Sequence, residues 1–458
     1  MNTKKFCIPV LLVGCTLVIN SCRDPEPFPP QQLDERLSGG ANTVFDNTSK
    51  AFGNSFPTIS GYDLYVHELG DEKFEETFVA APAPVNSGLG PIYNNVSCSS
   101  CHHNDGIGIP TTGDPQSSLL MRMSLPGTDS HGGPLPVPGF GIQLQDKAIL
   151  GSQPEAKVVV SYAYTTYSFP DGESYELRAP TYTLTNLYTS AGGYLLSPRL
   201  APPVFGLGLL EAIPEEEIVS HADPADVNGD GVEGKPNYVW DAATQSVKLG
   251  RFGWKANVSS ILSQVAAAFN QDIGITNRIF PMEAAFGQSQ YDSLNDDPEL
   301  PDSILNAMKF YVQTLAVPAR RNVTDPGVIR GKQLFMNAGC GSCHRETMTT
   351  GVDVAFPGIS NQTIHPYTDL LLHDMGPGLA DNRPDYEANG QEWRTAPLWG
   401  LGLFPTVNYP AYYLHDGRAR TLIEAIMWHG GEADKAKADF QKLSKQDRNA
   451  LLKFLESL

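Results

Sequence analysis

Apolar and aromatic runs along the chain predict one long β-hairpin and several helices. Residues 158–164 and 174–178 flank the turn signal Pro170-Asp171-Gly172, which predicts a hairpin. A helical period predicts one helix from Asp325 to Met336 and a final amphipathic helix from Asp434 to Leu458. The apolar face of the final helix consists of Phe440, Leu443, Leu451, Leu452 and Leu455.

The N-terminal pattern is typical of an export signal. Two lysines precede an apolar run from Phe6 to Ile19, which is too short to span a bilayer. The run ends at Ile19-Asn20-Ser21-Cys22, which has the form of a lipobox. We therefore expect a lipoprotein signal peptide at residues 1–21 and a lipid on Cys22, which would anchor an exported protein on the periplasmic or cell-surface side of a membrane. An ordinary signal peptide cut nearby is the alternative.

Two Cys-x-x-Cys-His motifs, Cys98–His102 and Cys340–His344, lie far apart in the chain. This spacing lets two thiols form thioether bonds to one haem while the adjacent histidine binds the iron. We therefore expect two covalently bound haem c groups, with His102 and His344 as proximal ligands. The cysteines that would attach them are Cys98, Cys101, Cys340 and Cys343. Structural zinc or a disulfide is the alternative, although zinc needs four ligands that converge on one metal.

The order of these features predicts two haem domains after a tether. We expect the tether at residues 22–45, an N-terminal haem domain with the β-hairpin insertion at 46–325, and a C-terminal haem domain at 326–458. An internal repeat, in which Arg199–Leu209 echoes Arg394–Leu403, indicates duplication of one unit. The 43 glycines and 36 prolines indicate much irregular loop. The expected fold is therefore mainly α, with two cytochrome c-like haem domains.

The net charge of the chain indicates which classes of macromolecule are favourable binding partners. A formal net charge of −19 makes nucleic acid an unfavourable partner. A basic redox protein fits better, because opposite charge speeds encounter. Solubility of an exported protein is the alternative explanation of this acidity.

A candidate second iron ligand follows the second motif. Asp416-Gly417 forms a turn, and Thr421 with Glu424 has capping-box spacing. The helix that begins there would end at Gly430-Gly431. His429 would then lie in its last turn.

This segment resembles the His-Asp-Gly segment and following helix of bacterial di-haem cytochrome c peroxidases, and residues 50–458 resemble the di-haem oxidoreductase family. The motifs that carry the resemblance are Phe252–Ala256, Asp272–Thr276, Thr395–Gly400, His415–Ala419 and Trp428–Ala433. In the peroxidases a methionine on this helix usually binds the iron, so the resemblance implies that His429 does so here. Bis-histidine ligation lowers the reduction potential of the haem relative to histidine/methionine ligation. Met427 and Met375 are alternatives, and His415 is expected to brace the loop or a propionate.

The resemblance also implies an open first haem. When Phe252–Phe269 is aligned with the second segment, the position of His429 falls near Ala266–Phe269, where no side chain can bind iron. Three residues could still reach the iron from elsewhere in the sequence, namely His131, Met121 and Met123.

The resemblance further implies the catalytic groups. Asp272 is expected to be the acid that moves a proton, with Glu283 as a second candidate, and Gln264 is expected in the distal pocket. Trp254 is expected between the haems, with core packing as its alternative. An external reductant would then donate electrons to the His344/His429 haem. The electrons would move by way of Trp254 to the His102 haem, which would reduce peroxide.

A calcium site is a further possibility in the sequence. Asp226, Asn228, Asp230 and Val232 open an EF-hand-like loop, but Asn237 stands where the loop expects glutamate. A plain Asx-rich turn is the alternative.

These observations together favour an exported di-haem c-type oxidoreductase of peroxidase type. One alternative is an electron carrier in which both irons have two protein ligands. Another is a haem oxygenase-type enzyme that acts on an organic substrate.

Overall fold

The computed structural model describes residues 34–292, 294 and 296–458. The predicted signal peptide, Cys22 and the first part of the predicted tether lie outside the described residues. Glu35–Leu458 forms one unit, and the predicted division at residues 325 and 326 stays a prediction. The last part of the predicted tether lies on this unit, because strand β1 (Thr43–Val44) pairs with β14 (Val317–Pro318).

Ten α-helices are present in the described part of the chain. They are α1 Tyr62–Glu75, α2 Leu207–Glu211, α3 Glu215–Val219, α4 Ile261–Ala268, α5 Asp302–Gln313, α6 Pro326–Asn337, α7 Phe404–Val407, α8 Leu422–Trp428, α9 Asp434–Lys442 and α10 Lys445–Ser457. A π-helical turn, Phe269–Ile273, continues α4. Within the residues that the structure describes, no helix combines the length and apolar character needed to cross a bilayer.

The strands are mostly short and form small sheets. Besides β1 and β14 they are β2 Val79–Ala80, β3 Ser87–Leu89, β4 Ile92–Tyr93, β5 Leu119–Thr128, β6 Pro134–Leu135, β7 Gln143–Leu144, β8 Lys147–Ala148, β9 Lys157–Ser168, β10 Ser174–Thr185, β11 Leu195–Leu200, β12 Tyr238–Asp241, β13 Ser246–Leu249, β15 Met348–Thr349, β16 Thr363–Ile364, β17 Leu372–Asp374 and β18 Glu392–Arg394. The prediction of a mainly α fold is therefore wrong, because the chain is mixed, with 26% helix and 21% strand. Many two- and three-residue strands pair across loops, and such short pairs leave little pattern in a sequence.

The predicted hairpin is confirmed and is longer than expected. Strands β9 and β10 pair in antiparallel register from Ser168 opposite Ser174 to Lys157 opposite Thr185. Arg178 on β10 donates hydrogen bonds to the carbonyl oxygens of Arg418 and Gly417, each at 2.8 Å. The hairpin therefore packs against the segment that leads into α8.

The predicted helix before the second motif is confirmed, whereas the final helix is interrupted. Helix α6 begins after Asp325, whose side chain accepts hydrogen bonds from the backbone of Gly327 and Val328. The final segment forms α9 and α10 instead of one helix, because Leu443 is extended and Ser444 caps α10 by accepting from Asp447 N–H. A serine cap with an acidic third residue is a helix start, and it divides an otherwise continuous apolar stripe.

Two helix pairs make a similar close contact, and the first helix of each pair precedes one of the motifs. Gly70 on α1 lies against α5, where a Cβ atom on that glycine would stand 2.4 Å from Ala307 O. Gly331 on α6 lies against α10, where a Cβ atom would stand 2.0 Å from Ala450 O. Glycine therefore permits both backbones to approach.

Each helix pair also carries an aromatic ring to its motif. The ring of Phe74, four residues after Gly70, lies 5.3 Å from Tyr311 and 6.1 Å from His102. The ring of Phe335, four residues after Gly331, lies 5.1 Å from Phe454 and 6.1 Å from His344. The packing that supports the motif histidine is thus repeated in the two halves of the chain.

Candidate functional site

One continuous cavity runs past both Cys-x-x-Cys-His motifs. Its walls include the seven residues that the sequence assigns to haem binding, namely Cys98, Cys101, His102, Cys340, Cys343, His344 and His429. The structure therefore brings together motifs that lie far apart in the chain.

None of the four motif cysteines forms a disulfide bond with another described residue. Burial raises the pKa of Cys101 and of Cys340 to about 12, so both thiols are neutral. Among the described residues, no group of three or more His, Cys, Asp or Glu side chains is arranged to hold a metal ion. These thiols fit thioether attachment of a porphyrin and do not fit a zinc site, which needs converging ligands.

The three candidate iron ligands share one hydrogen-bonding pattern. Nδ1 of His102 donates to Pro202 O at 2.7 Å, and Nδ1 of His344 donates to Tyr367 O at 3.0 Å. Nδ1 of His429 donates to Ala425 O at 2.8 Å. Because a carbonyl only accepts, the proton is on Nδ1 and the lone pair is on Nε2. Such a bond orients a metal-binding histidine.

Burial keeps these three imidazoles neutral. It lowers the pKa of His102 and of His344 to about 4 and also lowers the pKa of His429. A neutral ring with a free Nε2 lone pair is the form that binds iron. The residues on this cavity therefore fit two haem groups.

Two further histidines on the cavity have other partners. His373 contacts carboxylates through both nitrogens, with Nδ1 2.7 Å from Glu432 Oε2 and Nε2 2.9 Å from Asp369 Oδ2. Although burial alone would lower the pKa of His373, Asp369 and the other partners raise it well above its ordinary value. His415 stacks on Trp393 with ring centres 3.7 Å apart. Its expected role, which is to brace the loop or a propionate, stays a prediction.

The two helices that follow the resembling segments carry different side chains at the position of His429. Ser260 caps α4 by accepting from Ser263 N–H, and Thr421 caps α8 by accepting from Glu424 N–H. When the caps are superposed in sequence, Ala268 corresponds to His429, and both line the cavity. His429 is the C-cap residue directly after α8 rather than part of its last turn, because its backbone is extended, with ψ 142°.

The other candidate ligands are mostly away from the cavity. Met375 lines the cavity, whereas Met427 is buried elsewhere. Met121 and Met123 are buried on the face of β5 opposite to the cavity. His131 stacks on Trp240 with ring centres 4.0 Å apart. Within the described residues, none of the three candidates for the first haem lines the cavity.

Polar groups meet on the cavity wall beside the first motif. Asp272 and Gln264 both line the cavity, whereas Glu283 does not. Gln143 Nε2 donates to Asp272 Oδ1 at 2.6 Å. Burial raises the pKa of Asp272, and the Arg122 guanidinium and the Gln143 hydrogen bond oppose that rise.

The sequence did not single out Arg122, which lines this wall, or Gln143, which contacts the wall residue Asp272. Leu120 and Arg122 of β5 line the cavity, and Met121 and Met123 point to the other side. The alternation of these four residues is the signal that predicts a strand with a cationic inner face.

Trp254 lies on the cavity at a junction of the two halves of the chain. Its indole N–H donates to Leu200 O at 2.7 Å, and its carbonyl accepts from Arg394 N–H at 2.8 Å. Leu200 follows the first motif in the chain and Arg394 follows the second, so Trp254 contacts one segment from each half, and its place between the haems stays a prediction.

The predicted calcium loop forms side-chain to backbone hydrogen bonds. Asp226 Oδ1 accepts from Gly231 N–H, Asn228 Oδ1 from Asp230 N–H, and Asp230 Oδ1 from Val232 N–H, at 2.8 to 3.1 Å. These bonds make the Asx-rich turn that was the alternative. Calcium binding stays a prediction.

Comparisons with known proteins agree with the motifs. Residues 33–458 match the model of a family described as "Di-haem oxidoreductase, putative peroxidase". No curated protein matches the chain. A chain of Kuenenia stuttgartiensis hydrazine synthase, pressurised with 20 bar xenon, is similar at 15% identity with a TM-score of 0.35, and the match covers 97% of this chain and 100% of that one. So low a TM-score carries no argument. Since the family match spans both motifs and His429, the chain belongs to this family of di-haem oxidoreductases.

Proposed function

We propose that the chain is an exported, lipid-anchored c-type di-haem enzyme that reduces peroxide. The family supports two haems and an oxidoreductase of peroxidase type. Covalent attachment at both pairs of cysteines is supported by their position on the wall of one cavity, where none of the four forms a disulfide bond in the described part of the chain. When bound, the haems supply one-electron redox chemistry and an iron that can meet peroxide.

One observation carries the assignment of different roles to the two sites. At positions equally far from the N-caps of α4 and α8, one side presents the imidazole of His429 and the other presents the methyl group of Ala268. A second imidazole supports electron transfer, whereas a methyl group cannot bind iron and leaves room for a ligand. A carrier with two protein ligands on each iron is less well supported, because His131, Met121 and Met123 do not line the cavity.

Asp272 is the side chain that we propose to hold and release a proton at the open site. Its Oδ1 accepts from Gln143, and its Oδ2 has no hydrogen bond among the described residues. Burial raises its pKa toward the working range of a general acid. Gln264 makes no side-chain hydrogen bond in the described chain and is proposed to orient the bound peroxide.

We infer that electrons enter on the His344 side from an external redox protein, and that peroxide meets the His102 side. The position of Trp254 on the cavity, hydrogen-bonded to residues that follow each motif, supports its role as the aromatic group between the two. The net charge of −19 supports a basic electron donor.

The anchor is proposed from the N-terminal pattern alone. Cys22 would carry lipid after removal of residues 1–21 and would hold the body at a membrane surface. Replacement of Cys22 by serine is expected to move the protein from the membrane fraction to the soluble exported fraction. An unchanged distribution would contradict the anchor.

The proposed function is tested by measuring both the haem content and the rate of peroxide reduction of the same protein. We expect the exported protein to give a pyridine haemochrome of two haems per chain, and the double variants C98A/C101A and C340A/C343A to give one each. Both variants are expected to lose peroxide reduction, since one lacks the site for peroxide and the other lacks the entry site for electrons. An exported wild-type protein without haem, or with two haems and no peroxide turnover, would refute the proposal.

A further inference from the structure

The internal repeat places two equivalent arginines on the cavity. Arg199 lies at the end of β11 and Arg394 at the end of β18. Seven and six residues later, Gly206 and Gly400 have the same left-handed φ of 72° and begin helical turns. Both arginines line the cavity. The repeat is therefore a repeat of structure, and it brings two cations to one space.

Arg199 lies in a cluster with more positive than negative charge. Its Nη2 is 3.4 Å from Asp381 Oδ2 and 3.6 Å from Asp385 Oδ2. Lys255 Nζ lies closer to Asp381, at 2.8 Å, and Arg383 Nη1 lies closer to Asp385, at 2.9 Å. Three cations thus share two carboxylates. Nη1 of Arg199 is buried without a hydrogen-bond partner among the described residues.

Arg394 contacts backbone carbonyls only. Its Nε donates to Gly253 O at 2.9 Å, and its Nη1 donates to Thr395 O at 3.2 Å. No carboxylate of the described residues forms an ion pair with it. Burial lowers the pKa of Arg199 and of Arg394 to about 10, so both remain cations at neutral pH.

The carboxylates on the cavity wall have other partners. Asp385 pairs with Arg383, Glu432 with His373, and Asp272 with Gln143. A buried cation with too little counter-charge is costly. Arg199 shares Asp381 and Asp385 with two other cations, and Arg394 is influenced by the charge of Asp369 without forming an ion pair with it. The anion that completes these two arginines therefore belongs to whatever the cavity binds.

We propose that Arg199 and Arg394 bind carboxylates of the two haems. This rests on the proposed function, because haem is the carboxylate-bearing group that the cysteine motifs would attach. The planar guanidinium matches a carboxylate with two parallel hydrogen bonds. Arg199 contacts Asp381 and Asp385, which follow the second motif, and Arg394 contacts Gly253 beside Trp254, and both arginines line the cavity.

The test is potentiometry of the holoprotein with EPR detection, which reports each haem by its own signal. In R199Q and in R394Q, the midpoint potential of at least one haem is expected to fall, because a nearby cation favours the reduced iron. The expected change is about tenfold in favour of the oxidised form, or about 59 mV for a one-electron couple. R199K and R394K keep the charge and are expected to restore most of the potential.

Arg251 provides a matched control. It also donates to backbone carbonyls, those of Leu210, Glu211 and Ile213, but it does not line the cavity. R251Q is expected to leave both potentials unchanged. An equal fall in R251Q would contradict the proposal, because it would show a general effect of losing a buried arginine.

Other outcomes separate the sources of the carboxylate. Unmoved potentials in R199Q and R394Q, with two haems bound, would overturn this inference and leave the proposed function standing. A wild-type potential that shifts saturably with added sodium acetate would mean that the arginines bind a free carboxylate, which also overturns it. If a glutamine variant loads fewer haems, restored loading in the lysine variant supports the inference, and failure to restore it contradicts it.

Discussion

Hydrogen-bond partners decide which histidines on the cavity can bind iron. His102, His344 and His429 donate through Nδ1 to a carbonyl and keep Nε2 free. His373 has a carboxylate at each nitrogen and cannot offer a lone pair. The motifs predicted the first two histidines. The motifs could not show whether His429 or His373 is the better candidate ligand. The carboxylates that occupy His373 belong to Asp369 and Glu432, and the fold brings Glu432 to it from a distant part of the chain.

Replacement of His429 by alanine tests its role as a ligand. The C-terminal haem is expected to change from low spin to a form that binds cyanide, because the side chain that completes its coordination is gone. EPR of the ferric protein measures this change. H365A is the control, since His365 is buried and bonds to Thr347 without lining the cavity. A low-spin C-terminal haem in H429A would favour Met375 as the ligand.

Replacement of Asp272 by asparagine tests the proton donor. The rate of peroxide reduction is expected to fall by about 10²- to 10⁴-fold, the range of a lost general acid, with both haems retained. E283Q is the matched control, because Glu283 was the other candidate in the sequence and does not line the cavity. A larger loss of peroxide reduction in E283Q than in D272N would mean that Glu283, and not Asp272, is the proton donor.

Glu155 predicts a pH dependence of stability. Burial raises its pKa to about 8, and Gln145 N–H and Gln288 Nε2 oppose that rise. Between the ordinary pKa of 4.5 and about 8, the folded state binds more protons than the unfolded state, so stability falls as pH rises. E155Q removes this term, and Gln288 Oε1 has no partner and can accept from the new amide.

The comparison of E155Q with wild type measures that dependence. From pH 5 to pH 8 the variant is expected to gain about 1–3 kcal/mol in unfolding free energy relative to wild type. Denaturant unfolding at both pH values gives the difference. A constant difference would mean that Glu155 is ionised in the folded protein at both pH values.

Two helix contacts explain how similar packing against the motif histidines arises in different parts of the chain. Gly70 with Phe74, and Gly331 with Phe335, place a bare backbone and an aromatic ring four residues apart on one helix face. A glycine four residues before phenylalanine is visible in the sequence, but its meaning depends on the partner helices α5 and α10. Helix α5 begins more than 200 residues after α1 ends.

Replacement of Gly331 by alanine tests the crossing of α6 and α10. Helix propensity alone would stabilise the variant by about 1 kcal/mol. The new Cβ atom would stand 2.0 Å from Ala450 O, so we expect a loss of about 1–3 kcal/mol from overpacking. Thermal unfolding measures it. G193A is the control, because a Cβ atom there meets nothing within 4 Å, and a stabilised G331A would contradict the crossing.

The elements that the sequence predicted well are those with local signals. The hairpin has a Pro-Asp-Gly turn between β-rich runs, and α6 has an Asp325 cap followed by Pro326. The final helix was predicted without its break, because an apolar stripe continues across Ser444. The mixed fold was missed because strands such as β17 and β18 exist only by pairing across a loop.

The charge of the whole molecule predicts how its electron donor binds. With a net charge of −19, reduction by a small basic cytochrome is expected to slow steeply between about 10 mM and 150 mM salt, as screening shortens the reach of the field. Stopped-flow reduction measures the rate. A small uncharged reductant should show little change with salt. Equal salt dependence for both donors would contradict electrostatic steering.

At the scale of the whole molecule, the sequence predicted the ingredients of the site but not its walls. Both motifs, His429, Asp272, Gln264 and Trp254 line one cavity, and their roles in it stay predictions. Arg122, Gln143 and the role of Arg394 were not predicted, because their partners Gln271, Asp272 and Gly253 lie far away in the sequence and are joined to them only by folding.

We propose that one haem iron has two protein ligands and that the other has one. The EPR spectrum of the ferric exported protein before and after cyanide tests it most directly. We predict one low-spin signal that cyanide leaves unchanged and one high-spin signal that cyanide converts to low spin. Two low-spin signals that cyanide does not alter would contradict the account.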